Sequence, residues 1–76
     1  MEIGSVIKKL RQQKQMTQEE LAERLGVSFQ AVSKWENSST YPDIELLPEL
    51  ARFFGITVDE LLGAEQIDEK KLYEKY

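Results

Sequence analysis

Gln18-Glu19-Glu20-Leu21-Ala22-Glu23-Arg24-Leu25-Gly26-Val27-Ser28-Phe29-Gln30-Ala31-Val32-Ser33-Lys34-Trp35-Glu36-Asn37 holds two apolar stripes at helical spacing, interrupted once, at a glycine. Leu21, Ala22 and Leu25 mark the inner face of the first run, and Ala31, Val32 and Trp35 that of the second. Gly26 is the residue type best able to take the left-handed conformation that ends a helix, and Ser28 is a good N-cap for the next. Just upstream, Thr17 and Glu20 have capping-box spacing, so a helix starts there. Two helices joined by so short a turn cross closely and need a small residue at the crossing, which Ala22 supplies. The spacing predicts a tight helix-turn-helix over residues 18–37.

Working outward, Ile3, Val6, Ile7 and Leu10 predict an amphipathic first helix from about residue 3 to 14. Downstream, Asn37-Ser38-Ser39-Thr40-Tyr41-Pro42 is loop chemistry. Asp43 is placed to cap a fourth helix through Ile44, Leu46, Leu47, Leu50, Ala51, Phe53 and Phe54, ending at Gly55. Pro48 fits only a first turn, so either that helix begins near Leu47 or a kink follows Ile44. Thr57 and Glu60 repeat the capping-box pattern before Leu61-Leu62-Gly63, which predicts a short fifth helix. The expected organisation is an all-α domain over residues 1–63 and a charged tail over 64–76. Ile67, Leu72, Tyr73 and Tyr76 give the tail the apolar spacing of an additional helix.

Composition narrows the function. With 76 residues the chain makes one small domain, and it has no cysteine and no histidine. Disulfides, thiolate nucleophiles, imidazole acid-base chemistry and the usual zinc sites are excluded together, and neither a metal nor a cofactor is expected. Glu20, Asp43 and Glu60 sit at helix starts rather than in a catalytic constellation, so no enzyme is expected. No apolar run is long enough to cross a bilayer and no signal pattern opens the chain; the expected compartment is the cytoplasm. The net charge of −4 runs against phosphate binding, but it is unevenly spread. Residues 1–40 carry six basic and five acidic side chains, a net of +1, whereas residues 41–76 carry four and nine, a net of −5.

With Ala31, Val32 and Trp35 turned inward, the helical period turns Phe29, Gln30, Ser33, Lys34 and Asn37 outward. Gln30 can pair donor and acceptor with adenine, Lys34 can donate to guanine O6 and N7, Phe29 can touch a thymine methyl, and Ser33 can join either contact. A solvated surface helix explains Gln30, Ser33 and Lys34 equally well but leaves the aromatic Phe29 without purpose. Thr17 and Gln18 at one helix start, and Ser28 at the next, stand where unpaired backbone N–H groups and the helix dipole favour phosphate, although capping alone also accounts for Thr17 and Ser28. The loop Asn37-Ser38-Ser39-Thr40 can add backbone N–H contacts to the same strand, which makes Asn37, Ser39 and Thr40 candidate phosphate contacts, although a plain connector would look the same.

Thr17-Gln18-Glu19-Glu20-Leu21-Ala22-Glu23-Arg24-Leu25-Gly26-Val27-Ser28, with Ala31-Val32-Ser33-Lys34-Trp35-Glu36-Asn37, resembles the Cro/repressor (xenobiotic-response-element-type, XRE-like) helix-turn-helix family of bacteria and phages. The likeness continues through Tyr41-Pro42-Asp43, Leu50-Ala51-Arg52-Phe53-Phe54-Gly55-Ile56 and Val58-Asp59-Glu60-Leu61-Leu62. It implies a five-helix, lambda-repressor-like DNA-binding domain acting as a transcriptional regulator, with helix three reading double-stranded DNA at a palindromic operator as a homodimer. It places base reading at Phe29, Gln30, Ser33 and Lys34, phosphate contacts at Gln18, Ser28 and Asn37, and a structural ion pair at Arg11 and Glu36. Ser38 stands where many relatives have glycine, and the loop before the fourth helix is slightly longer than in the smallest phage repressors. The family also holds antitoxins and protein-binding modules, so a protein partner is the alternative to an operator. The tail would then be the dimer contact, the partner site or a linker to a further domain.

Overall fold

The computed structural model describes residues 3–63, and every regular element among them is helical. Helix α1 spans Ile3–Gln13, α2 Gln18–Leu25, α3 Phe29–Glu36, α4 Leu47–Phe54 and α5 Val58–Leu61. Their apolar faces close one core of Ile3, Ile7, Leu21, Ala22, Val32, Trp35, Leu50, Ala51 and Leu61. The expected tail helix, with Ile67, Leu72, Tyr73 and Tyr76, lies outside the described residues.

Both capping boxes form. Thr17 Oγ1 accepts from the Glu20 N–H at 3.0 Å while Glu20 Oε1 accepts from the Thr17 N–H at 2.8 Å. Thr57 and Glu60 do the same at 3.0 and 2.9 Å. Asp43, by contrast, makes no side-chain cap. Pro48 decides the outcome there: a 3-10 turn over Ile44–Leu46 precedes α4, and the proline falls in the first turn of the α-helix, where its missing N–H costs nothing. That turn leaves Ile44 80% exposed, so it contributes to no core.

The first four helices stop in the same way, by a Schellman motif in which a left-handed residue lets its own N–H and that of the following residue reach back to orphan carbonyls. After α2 the Val27 N–H reaches Ala22 O at 3.0 Å, and after α4 the Ile56 N–H reaches Ala51 O at 2.9 Å. After α1 the Met16 N–H reaches Arg11 O at 3.1 Å, and after α3 the Ser39 N–H reaches Lys34 O at 2.9 Å. The left-handed positions of α2 and α4 are Gly26 and Gly55, but those of α1 and α3 are Gln15 at φ 58 and Ser38 at φ 66. A side chain at such a φ costs about 1 kcal/mol relative to glycine. Gln15→Gly and Ser38→Gly are each expected to raise the unfolding free energy by about 0.5–1 kcal/mol, seen as a higher melting temperature.

Gly4 has a different role. A Cβ there would lie 2.2 Å from the Trp35 carbonyl oxygen, so its bare Cα is what lets α1 lie against the end of α3.

Candidate nucleic-acid interface

The turn at Gly26 and Val27 sets α3 beneath α2 with Val32 and Trp35 buried, at 0% and 4% exposure. The opposite side of α3 then faces out. Gln30, Lys34 and Asn37 are exposed, Phe29 is 45% exposed, and Ser33 is half-buried. Phe29 therefore stands at the start of α3 with nearly half its surface in solvent, where an aromatic side chain gains most from an apolar contact outside the domain.

The starts of α2 and α3 present their capping side chains to the same solvent. Ser28 Oγ accepts from the Ala31 N–H at 3.1 Å, as Thr17 accepts from Glu20, so each hydroxyl keeps its proton for an outside acceptor. In the loop after α3 the N–H groups of Asn37, Ser38, Ser39 and Thr40 all bond to carbonyls within the protein. The backbone route to phosphate through this loop is thereby used up, and what the loop offers outward comes from side chains. Asn37 Oδ1 accepts from the Ser39 N–H at 3.0 Å, which leaves the Asn37 amide nitrogen as a donor.

A buried network joins this surface to the core. Arg11 donates from Nε to Glu36 Oε2 at 2.7 Å and from Nη2 to Glu36 Oε1 at 2.9 Å, the two-pronged geometry of a strong ion pair. The Arg11 and Glu36 side chains are 11% and 3% exposed. Arg11 Nη1 also donates to Met16 O at 2.7 Å, which ties the pair to the turn between α1 and α2. Gln18 joins by donating from Nε2 to Glu36 Oε1 at 3.0 Å. One carboxylate thus holds α1, α3 and the first residue of α2. Burial pushes the Glu36 carboxyl up, but the hydrogen bonds from Arg11 and Gln18, with the charges of Arg11 and Lys8, outweigh it and hold the group below its ordinary value.

The bond from Gln18 to Glu36 had no signature in the sequence, because 18 residues separate the two and only the packing of α2 on α3 brings them together. One Gln18 amide hydrogen is thereby committed to Glu36, and the side chain has its second amide hydrogen and its carbonyl oxygen left for other partners.

This arrangement is that of an XRE-type helix-turn-helix domain, and the chain belongs to that family: the family model described as Helix-turn-helix matches residues 7–61. Among curated relatives it is 46% identical over 67 residues to the HTH-type transcriptional activator BcrR of Enterococcus faecalis, covering 88% of this chain and 33% of that protein. It is 31% identical to the HTH-type transcriptional regulator ImmR of Bacillus subtilis (strain 168), over 92% of this chain and 55% of the relative. It is 34% identical to the cryptic phage CTXphi transcriptional repressor RstR of Vibrio cholerae, over 88% and 62%. The chain therefore spans between one third and two thirds of the length of these relatives. Among the described residues no helix is long and apolar enough to cross a membrane.

Proposed function

We propose that this chain is a sequence-specific DNA-binding transcriptional regulator, a repressor that places α3 in the major groove of a palindromic operator as a dimer. The observation that carries the reading is the outward face of α3, where Gln30 and Lys34 are exposed and Phe29 keeps 45% of its surface in solvent. Gln30 reads adenine, Lys34 reads guanine, Phe29 meets a thymine methyl and Ser33 supports either neighbour. Thr17, Gln18, Ser28, Asn37, Ser39 and Thr40 position the domain on phosphates through their side chains. The net charge of −4 makes one copy a weak ligand for DNA, so two copies on half-sites about 34 Å apart supply the affinity.

Selection of bound sequences from a random duplex pool tests this. Gln30→Ala and Lys34→Ala should each cost about 1–3 kcal/mol at one base pair and relax specificity there, and binding should weaken steeply as salt rises. An unchanged sequence preference in both variants overturns the assignment. Failure to select any duplex, with salt-insensitive capture of a protein instead, would favour a partner-binding role for the same fold.

A further inference from the structure

Away from α3, three cations from three separate parts of the chain line one surface hollow, and two of them lie over its aromatic ring. Lys14 follows α1, Arg24 lies in the last turn of α2 and Arg52 in the last turn of α4. Lys14 Nζ stands 5.1 Å and Arg24 Cζ 4.9 Å from the Phe53 ring centroid. With Arg52 and Met16 they line a surface hollow of about 570 Å3 that holds no carboxylate among the described residues. An adjoining hollow of about 550 Å3 shares Arg24, Arg52 and Phe53, and Glu23 and Glu49 edge it.

Among the described residues the one ion pair is Arg11 with Glu36, so none of these three cations has a carboxylate of the described residues within 4.0 Å. Glu23 and Glu49 share the adjoining hollow with Arg24 and Arg52, but among the described residues no acid lines the hollow that Lys14 completes. Like charges held together repel until an anion arrives, and Phe53 offsets that repulsion only in part, since an exposed cation over a ring gains about 0.5–1 kcal/mol.

We propose that this hollow binds a small organic anion with an aromatic body, of the aromatic carboxylate class. The carboxylate takes the guanidinium forks of Arg24 and Arg52, which match its planar geometry, while the aromatic body lies against the Met16 thioether and the apolar stems that cover Phe53. The hollow is large enough for such a ligand, since small-molecule sites typically run from about 300 to 1,000 Å3. No residue from 28 to 40 lines it, so the site is separate from the proposed reading face and does not depend on it.

The test is a titration of benzoate into the isotope-labelled full chain, with benzyl alcohol and inorganic phosphate as further probes, followed through the amide resonances of Arg24, Arg52 and Phe53. Benzoate is expected to give saturable shifts there, with affinity reduced about tenfold by Arg24→Gln and again by Arg52→Gln, and unaffected by Gln30→Ala. The glutamines keep the apolar stems over the ring while removing the charge. Absence of benzoate shifts, or equal affinity for benzyl alcohol or inorganic phosphate, overturns the proposal. So does a loss of duplex affinity in the double variant, which would assign these cations to the DNA backbone.

Discussion

Gly4→Ala is expected to lower the unfolding free energy by about 1–3 kcal/mol, a large share of the roughly 3–9 kcal/mol available to a domain of this size. The added Cβ meets the Trp35 carbonyl oxygen at 2.2 Å, and that oxygen is fixed because it accepts the Ser38 N–H at 3.1 Å in the motif that ends α3. Two routes relieve the clash. Moving α1 off α3 opens the contacts of Ile3 and Ile7, which are 2% and 0% exposed. Fraying the first turn of α1 instead exposes Ile3 alone, at a cost of about 1.5–3 kcal/mol, and so bounds the effect. The better helix propensity of alanine returns about 1 kcal/mol at most. Urea unfolding measures the result, with exposed Lys9→Ala as the control; an unchanged midpoint for Gly4→Ala would show that α1 and α3 are not packed as described.

Glu36→Ala should cost about 3 kcal/mol, because it leaves the Arg11 guanidinium, 11% exposed, without its carboxylate. Replacing both partners by apolar residues, as in Arg11→Met with Glu36→Leu, should recover most of that loss, since the unpaired charge rather than the missing attraction is what destabilises. The same group sets an acid limit. Its folded value lies below the ordinary 4.5, so its contribution is fully present above pH 4.5 and is lost as pH falls through the folded value. Thermal unfolding between pH 7 and 3 should show a steep acid limb that flattens in Glu36→Ala. A limb of equal steepness in both proteins would assign acid sensitivity elsewhere.

The parts of the fold legible in the sequence are those decided within a few residues. Thr17 with Glu20, Thr57 with Glu60, Ser28 and Gly26 each satisfy backbone groups one turn away, so spacing alone reveals them. The buried positions Leu21, Ala22, Val32 and Trp35 follow from helical period in the same manner. What escaped notice depends on chain segments that are remote from one another. Gly4 looks like a poor helix residue until Trp35 lies against it. Asp43 looks like a cap until Pro48 sets where α4 starts. Ser38 in place of glycine alters no helix boundary, because the left-handed conformation forms regardless and the substitution shows only as strain. At the candidate interface the exposed face of α3 could be read by periodicity, but the internal bonding of the loop N–H groups and the hold of Glu36 on Gln18 could not.

Glu36 and Trp35 are anchored from within, while Gln30 and Lys34, their neighbours on α3, touch solvent. On the proposed reading, stability and address are thereby written at different positions of one eight-residue helix. Mutations at positions 30 and 34 can accumulate without eroding the fold, so a duplicated copy of this domain can drift to a new target before losing its shape. A designer gains the same freedom: a library varied at 29, 30 and 34 alone should return mostly folded members, and the half-buried Ser33 marks where that tolerance begins to close.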